Sequence, residues 1–214
     1  MIIVGAKGFA KEVLEIFEES TIKSTIAFYD DINKDIGEKI FGKFLILKDD
    51  NTVISFFKDN GNDFTIGVGN PKLRLKLYNK FMKLGGNYIS SISSKAKIGS
   101  YDIIINEGAN ILSYVNISNS VKIGKGCIIY YGVIITHDCL IGDFAELSPN
   151  VILLGGSKVG NFTQIGANST ILPNITIGDN VIIGAGSVVT KDIPNNTLAY
   201  GSPARVIKVL DIKD

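Results

Sequence analysis

Apolar side chains recur with a fixed period in the second half of the chain. From Ile105 to Val189 every sixth residue is Ile, Leu or Val, and fifteen consecutive positions follow this rule. Two residues earlier, most units carry a small or β-branched side chain, such as Val115, Cys127 or Ala145. The fifteen positions are Ile105, Ile111, Ile117, Ile123, Ile129, Ile135, Ile141, Leu147, Leu153, Val159, Ile165, Ile171, Ile177, Ile183 and Val189. Such a long uninterrupted period predicts a repeat architecture.

The period of six predicts a solenoid of short parallel strands. One unit has room for a strand and a turn, and it buries its aliphatic side chain only when other units stack on it. Three units complete a triangular coil of 18 residues, so the fifteen units predict five coils. At the usual strand spacing of about 4.8 Å, five coils extend about 24 Å.

Both cysteines fall in the column of small residues. Cys127 and Cys139 stand two positions before an aliphatic member of the repeat. A buried Cys behaves as a small hydrophobic residue. We therefore expect two inert thiols in the core and neither a disulfide framework nor a catalytic thiol.

The first ninety residues follow another pattern, in which apolar strands alternate with amphipathic helices. The strand "MIIV" precedes a glycine-containing turn and a helix, "TIAFYDD" and "FTIGVGN" contain further strands, and "PKLRLKLYNKFMKLG" has the Pro and Gly that bound a helix. This alternation predicts a small parallel α/β, Rossmann-like domain. Ligands of such sheets bind beyond the carboxyl ends of the strands. The candidate ligand-binding residues there are Gly5, Lys7, Gly8, Phe9, Asp30, Asp31, Gly69 and Asn70.

The glycine turn is an incomplete dinucleotide motif. Lys7 and Ala10 occupy the second and third glycine positions of GxGxxG, so NAD-dependent chemistry is not favoured. A helix that starts just after such a turn can still hold a phosphate, and an acid after the second strand can accept a ribose hydroxyl. A tight turn without any ligand is the alternative interpretation.

The charge balance excludes several classes of function. The chain has 22 Lys and Arg against 21 Asp and Glu, a net charge of +1, which argues against binding of nucleic acids or anionic membranes. One His and two Cys are too few for a three-His or four-thiolate zinc site, so no metal is expected. Neither a signal segment nor an apolar run of about 18 residues is present, which predicts a cytoplasmic location.

The repeat resembles that of the hexapeptide acyltransferases, whose fold is a left-handed parallel β-helix. "IGAGSVVTKDIP" and "YGSPARVIK" are similar to the C-terminal closure of that family. Together with "IIVGAKGFAKEVLEI", "YDD" and "GVGNPKLRLKLY", they resemble one bacterial branch, the sugar acyltransferases of the sialic acid O-acetyltransferase and bacillosamine N-acetyltransferase type. The resemblance implies an α/β domain (1–89) that holds a nucleotide-linked sugar, a β-helix (90–195) and a closing segment (196–214). It further implies a homotrimer with acetyl-CoA bound between neighbouring subunits.

His137 is the only histidine and the candidate general base. Acyl transfer needs a base that works near neutral pH, and imidazole is the usual choice. Asp138 follows directly, and a carboxylate beside an imidazole fixes its tautomer and increases its basicity. The string "HDC" before "IGDF" also matches the catalytic motif of the family. An exposed surface histidine without a function is the alternative.

Gly155 lies 18 residues beyond His137, one full coil away, and should stack beside it. Its N–H is a candidate donor to the oxyanion of the thioester carbonyl, the role that the family assigns to this place. A simple turn glycine is the alternative.

The resemblance also implies the contacts to acetyl-CoA. It assigns backbone contacts to Ala167 and Ala185 and makes Lys191 a candidate for the CoA phosphates, with a solvated lysine as the alternative. Many relatives have a second His near the thioester carbonyl where this chain has Glu146, and an Asn where it has Tyr130. Glu146 is still a candidate contact to acetyl-CoA, as is Gly155, but an ionised carboxylate that points at the thioester carbonyl would repel the developing oxyanion.

The leading hypothesis is acetyl-CoA-dependent N-acetylation of a nucleotide-activated amino-deoxysugar for a surface polysaccharide or glycoprotein. O-acetylation of a sialic acid or similar sugar is the alternative within the same class. A β-helix that is only a binding scaffold is the alternative from another class. An ice-binding helix needs outward Thr ladders and a carbonic-anhydrase-like enzyme needs three His, and this chain has neither feature.

Overall fold

The computed structural model describes residues 1–19 and 25–211 of the chain. The expected first domain also includes residues 20–24, and the expected closing segment includes residues 212–214; both stretches lie outside the described residues. The N-terminal elements are β1 (Ile2–Val4), α1 (Gly8–Glu18), β2 (Ala27–Tyr29), the 3-10 turn Lys34–Ile36, β3 (Lys39–Ile40), β4 (Phe44–Leu47), α2 (Asp50–Asn60), β5 (Asp63–Ile66), α3 (Pro71–Lys83) and β6 (Asn87–Tyr88).

These strands form one sheet in the order β3-β4-β2-β1-β5-β6, with helices on both faces. Successive side chains of a strand point to opposite faces. Accordingly, Ile2 and Val4 pack in the cluster that contains residues of α2 and α3, whereas Ile3 packs with residues of α1. The predicted parallel α/β domain is confirmed. The β3–β4 pair is antiparallel, and this edge hairpin and α2 were not anticipated from the sequence.

The second part is the predicted β-helix, built from seventeen strands of two residues each. They are β7 (Ser91–Ile92), β8 (Lys97–Ile98), β9 (Ile104–Ile105), β10 (Asn110–Ile111), β11 (Asn116–Ile117), β12 (Lys122–Ile123), β13 (Ile128–Ile129), β14 (Ile134–Ile135), β15 (Leu140–Ile141), β16 (Glu146–Leu147), β17 (Ile152–Leu153), β18 (Lys158–Val159), β19 (Gln164–Ile165), β20 (Thr170–Ile171), β21 (Thr176–Ile177), β22 (Ile182–Ile183) and β23 (Val188–Val189).

Every third strand stacks in parallel with the next, which makes three faces of a left-handed prism. The first face contains β7, β10, β13, β16, β19 and β22; the second contains β8, β11, β14, β17, β20 and β23; the third contains β9, β12, β15, β18 and β21. From β9 to β23, paired residues are 18 positions apart, as Asn116 and Ile134 are; β7 and β8 pair with their neighbours at a separation of 19. The aliphatic column of the repeat fills the interior, where Ile111, Ile123 and Leu153 are fully buried.

The β-helix begins two strands before the regular repeat. The strand that ends at Ile98 precedes Ile105 by seven residues instead of six, because the turn between them has one extra residue. At the other end, β24 (Thr197–Gly201) continues the first face beside β22, and β25 (Ala204–Val209) folds back antiparallel to it. This hairpin covers the last coil, and Ala199 and Ala204 pack on its core.

Arg74 joins the two parts of the molecule. Its side chain projects from α3 and is fully buried. Nε donates a hydrogen bond of 3.1 Å to the Gly126 carbonyl, and the terminal nitrogens donate to the carbonyls of Gly69, Phe144 and Ala145. Since a buried charge is stable only when its donors are satisfied, these bonds hold the N-terminal domain against the first face in one orientation.

The thiols behave as the repeat predicts. Cys127 and Cys139 are both buried and free, and burial raises the pKa of Cys127 to about 12. The thiolate is the reactive form of cysteine. We expect no reaction of the native protein with Ellman's reagent at pH 8 and release of two equivalents per chain in guanidinium chloride. Rapid modification of the native protein would contradict the buried positions.

Candidate functional site

A pocket of about 290 Å³ opens at the carboxyl ends of β1, β2 and β5. The turns that follow these three strands form its walls, as the topology of a parallel sheet predicts. It is lined by Val4, Gly5, Ala6, Lys7, Gly8, Phe9, Tyr29, Asp30, Asp31, Ile32, Asn33, Gly67, Val68, Gly69, Leu73 and Leu77. The structure thus brings together all but one of the substrate-binding residues expected from the sequence.

The exception is Asn70, which begins the next helix. Its side chain accepts a hydrogen bond of 2.9 Å from the Leu73 N–H and caps α3, with Pro71 in the first turn. Asn70 therefore positions the adjoining Gly69 and is not itself part of the pocket wall. The X-Pro pair and the helical pattern after it were the sequence signals for this role.

Two glycines let the turns approach each other closely. Gly5 has φ of +109°, and a Cβ on it would lie 2.9 Å from the Gly67 carbonyl oxygen. A Cβ on Gly67 would in turn lie 2.6 Å from Cα of Ala10. The turn after β1, the start of α1 and the turn after β5 are therefore in direct contact. The first N–H groups of α1 have no intrahelical partner and face a pocket with room for a phosphate.

Asp30 orders the turn after β2. Its buried carboxylate accepts hydrogen bonds from the backbone N–H groups of Ile32 (3.1 Å) and Asn33 (2.8 Å) and from the Asn33 side chain. These bonds occupy much of its acceptor capacity. Asp30 consequently shapes the wall of the pocket, whereas the next acid is more open.

Asp31 stands at the rim of the pocket in a polar network that the sequence did not predict. Lys80 of α3 lies 3.0 Å from Asp31, 2.9 Å from Asp50 and 2.5 Å from the Tyr29 hydroxyl. Partial burial opposes ionisation of Asp31, but hydrogen bonds from Tyr29 and Lys80 outweigh it and hold the pKa of this carboxyl below its usual value. Burial raises the pKa of Tyr29 to about 12. An ionised carboxylate is thus fixed at the rim.

His137 lies on the turn that joins the second and third faces, after β14. Its Nδ1 is 2.7 Å from a carboxylate oxygen of Asp138, and its side chain is 68% exposed. Asp138 has φ of +60°, a turn conformation that lets its side chain fold back on the ring. Within residues 1–19 and 25–211, Nε2 of His137 has no hydrogen-bond partner. A base with one nitrogen oriented and the other free is the arrangement that proton transfer requires.

Gly155 packs directly on the imidazole. The turn after β17 stacks on that after β14, and the Gly156 N–H donates a hydrogen bond of 3.0 Å to the His137 carbonyl. A Cβ on Gly155 would lie 2.5 Å from Cε1 and 2.7 Å from Nε2 of His137. Among the described residues, the N–H of Gly155 itself has no hydrogen-bond partner. A free donor therefore lies beside the free ring nitrogen.

Glu146 and Tyr130 lie elsewhere, on the side of the β-helix that faces the N-terminal domain. Glu146 belongs to β16, and its carboxylate lies 3.8 Å from Arg74 and 3.2 Å from the side-chain nitrogen of Gln164. Burial raises the pKa of Glu146, and the opposite charge of Arg74 counteracts this rise. Tyr130 packs its ring on Phe9, with centroids 5.2 Å apart.

The candidate contacts to CoA follow the edge between the first and second faces. Ala167 and Ala185 occupy the turns after β19 and β22, and the Gly186 N–H donates to the Ala167 carbonyl at 2.8 Å. Lys191 is exposed beyond the last strand of the second face. His137 and Gly155 lie on the next edge of the prism, so a single chain does not bring these two sets together.

Comparisons with known proteins identify both parts of the chain. Residues 1–81 match the PglD N-terminal domain, and residues 156–191 match the bacterial transferase hexapeptide (six repeats). A perosamine N-acetyltransferase variant from Caulobacter crescentus, solved with CoA and GDP-perosamine, is 28% identical with a TM-score of 0.86; the alignment covers 97% of this chain and 96% of that one.

Two further solved structures are similar over their whole length. The acetyltransferase domain of PglB from Neisseria gonorrhoeae, in complex with acetyl coenzyme A, is 26% identical, with a TM-score of 0.87 and coverage of 96% of this chain and 98% of that one. WeeI from Acinetobacter baumannii is 25% identical, with a TM-score of 0.74 and coverage of 97% and 100%.

The fold and these relatives define the protein as a hexapeptide-repeat acyltransferase that acts on sugars. More closely, its two parts are similar to those of the bacterial sugar N-acetyltransferases that combine a PglD N-terminal domain with hexapeptide repeats. Among the described residues, no group of three His, Cys, Asp or Glu is arranged to hold a metal ion, and no helix has the length and apolarity to cross a membrane.

Proposed function

We propose that the protein transfers the acetyl group of acetyl-CoA to the amino group of a nucleotide-linked amino-deoxysugar, with His137 as general base. The observation that carries the proposal is the arrangement at the turn after β14. Asp138 holds Nδ1 at 2.7 Å, Nε2 is free of partners within the described residues, and Gly155 lies against the ring. The similarity to a perosamine N-acetyltransferase supports an amine as the acceptor.

The reaction needs no covalent enzyme intermediate. As the sugar nitrogen attacks the thioester carbonyl carbon, His137 accepts the proton that this nitrogen loses. The N–H of Gly155 donates a hydrogen bond to the oxyanion that forms. When the C–S bond breaks, the imidazolium returns the proton to the sulfur. The products are an N-acetylated sugar and CoA with a free thiol, so atoms and charges balance.

The N-terminal pocket would hold the nucleotide end of the acceptor. In this proposal residues 1–89 bind the sugar nucleotide, residues 90–195 carry the acetyl transfer, and residues 196–214 close the β-helix. Gly8 and Lys7 at the start of α1 face the diphosphate, Phe9 packs beside the sugar, and Asp31 accepts ribose hydroxyls. Asp30, Gly69 and Asn70 hold the walls in place.

The complete site would be formed at a boundary between subunits of a homotrimer. In one chain the pocket, Glu146, Ala167 and Ala185 lie on or near the first face, whereas His137 and Gly155 lie beyond the second face. A buried aliphatic core fills the space between them. A neighbouring subunit would supply the missing edge, with acetyl-CoA between the two chains and Lys191 near its phosphates. Light scattering should report a trimer; a stable, fully active monomer would contradict this arrangement.

The experiment that tests the function is a thiol-release assay with acetyl-CoA and a panel of acceptors. The panel contains GDP-, UDP- and dTDP-linked amino-deoxysugars, their hydroxyl counterparts and free sialic acids. We expect CoA release only with amino-sugar nucleotides and an acetamide in the mass spectrum of the product. Release with sialic acid alone would instead establish an O-acetyltransferase, and no release with any acceptor would favour a binding scaffold.

Asp31 offers a test of the nucleotide pocket. Asp31→Ala should raise the KM of the sugar nucleotide about tenfold, because a hydrogen bond to a charged acceptor is lost, and should leave the KM of acetyl-CoA unchanged. Asp50→Ala is the matched control, since Asp50 pairs with the same Lys80 but does not line the pocket. Equal effects of the two variants would mean that only the Lys80 network matters.

A further inference from the structure

A carboxylate lies where the nucleotide pocket meets the β-helix. A Cβ built on Gly69, in the wall of the pocket, would be 3.9 Å from Oε2 of Glu146. Phe9, another wall residue, packs on Tyr130, which follows the strand paired with that of Glu146. A sugar that extends from the pocket towards the β-helix therefore comes into the neighbourhood of this carboxylate.

The partners of Glu146 leave much of its acceptor capacity free. Among the described residues, Oε1 accepts only a hydrogen bond of 3.5 Å from Ser148, and Oε2 accepts one of 3.2 Å from Gln164. Arg74 stands 3.8 Å away, but its N–H groups are bonded to four backbone carbonyls. A carboxylate offers about four lone-pair sites, so sites remain for a ligand. The side chain is 13% exposed, which leaves a path to it.

This environment fits a cationic N–H donor better than any other part of the two substrates. A carboxylate cannot donate a hydrogen bond to a carbonyl or a phosphate, and it repels both the diphosphate and a developing oxyanion. An ammonium group supplies several donors and a positive charge, and such charge-assisted bonds are about twice as strong as neutral ones. A sugar hydroxyl supplies a single neutral donor.

We propose that Glu146 selects the acceptor by binding its amino group as the ammonium ion and is thereby the residue that favours N- over O-acetylation. The inference rests on the proposed function. On binding, the ammonium hydrogens point at the carboxylate. One proton then leaves to solvent, and the second is taken by His137 of the neighbouring subunit as the N–C bond forms. Glu146 is a specificity residue and not the base.

Arg74 makes this selection compatible with the chemistry. Its buried positive charge lies beside Glu146 and partly offsets the negative charge of the carboxylate, which weakens the repulsion of a nearby oxyanion. The same guanidinium bonds to the carbonyls of Gly69 and Ala145 and thus fixes the distance between the pocket wall and β16. The carboxylate therefore keeps one position relative to the bound nucleotide.

The test compares the wild type with Glu146→Gln, which keeps the shape and removes the charge. The ligands are GDP-perosamine, or the amino-sugar nucleotide that proves active in the acceptor panel, and the same nucleotide sugar with a hydroxyl in place of the amine. Glu107→Gln is the control, since Glu107 is a carboxylate of the same side of the β-helix in an exposed pair with Lys125.

We expect Glu146→Gln to raise the KM of the amino-sugar nucleotide about tenfold or more, with smaller changes in kcat and in the KM of acetyl-CoA. Its Kd for the hydroxyl counterpart should stay within about twofold of the wild type, and Glu107→Gln should change neither ligand. A rise only in the KM of acetyl-CoA, or equal losses for both nucleotide sugars, would overturn the role in amine selection.

Binding to the unmodified protein gives a second test that does not depend on how the variant folds. By calorimetry, the affinity of the wild type for the amino-sugar nucleotide should fall as the pH rises through the pKa of the free amine, whereas that for the hydroxyl counterpart should not follow this titration. If the affinity for the amino-sugar nucleotide does not change with pH around the pKa of the free amine, the inference is refuted. If the wild type acetylates no amino-sugar nucleotide, the proposed function fails and this inference with it. If Glu146→Gln turns over and still distinguishes the amino-sugar nucleotide from its hydroxyl counterpart as the wild type does, only the inference about Glu146 fails and the proposed function stands.

Discussion

Replacing His137 by Ala should lower kcat for acetyl transfer by a factor of about 10² to 10⁴, the usual contribution of a positioned general base. The residue is the only imidazole in the chain, its side chain is exposed, and its Nε2 has no hydrogen-bond partner in the described part of the structure. The neighbouring carboxylate of Asp138 is bound to the other ring nitrogen and does not replace it. The measurement is steady-state thiol release, with trimer content and thermal unfolding recorded on the same samples.

Asp138→Asn tests the orienting carboxylate separately. The amide keeps a hydrogen-bonding group at the same place, so the ring stays near its position but loses the negative charge that favours the imidazolium. We expect a smaller loss of kcat than in His137→Ala and an unchanged KM for the sugar nucleotide. Full turnover by a correctly folded His137→Ala trimer would eliminate the base assignment.

The regular part of the fold was predictable because its signal is repeated many times. Each of fifteen consecutive six-residue units carries an aliphatic residue at the same position, so the period and the register of the repeat have a single interpretation. The same count predicts that Gly155 lies beside His137, since 18 residues complete a coil. The first two strands of the β-helix, β7 and β8, were not predicted, because a single extra residue before Ile105 shifts them out of the six-residue register.

The contacts between the two parts of the chain were not predictable in this way. Arg74 lies in a helix whose Lys-rich sequence, "KLRLKLYNK", predicts solvent-facing charges, yet it is the one basic residue of that helix that is fully buried. Lys80 and Asp31 are 49 residues apart and meet only because α3 returns across the sheet. No local pattern encodes such pairs, because they depend on how finished elements pack. For the same reason, the sequence could not distinguish Asp30, whose carboxylate is occupied by hydrogen bonds from its own turn, from the more exposed Asp31.

Replacing Gly155 by Ala should lower kcat/KM about 100-fold, although the change adds one methyl group and keeps the backbone N–H. The new Cβ would lie 2.5 Å from Cε1 and 2.7 Å from Nε2 of His137, closer than real contacts allow. The backbone of Gly155 is outside the left-handed region, so Ala adopts it without strain and the ring must move instead. A displacement of about 1 Å in a reacting group is enough for a loss of this size.

A double-mutant cycle identifies the cause of that loss. Because the three nearest atoms to the added Cβ all belong to the imidazole, Gly155→Ala should reduce the unfolding free energy of the wild type but have much less effect in the His137→Ala background. A chemical-shift change of the His137 ring protons in Gly155→Ala would report the movement directly. If both backgrounds lose the same stability, the methyl group disturbs the coil itself. If the ring signals and kcat/KM stay as in the wild type, the turn accommodates the methyl group without moving the imidazole. Contact with Gly155 is then not what holds the imidazole in place.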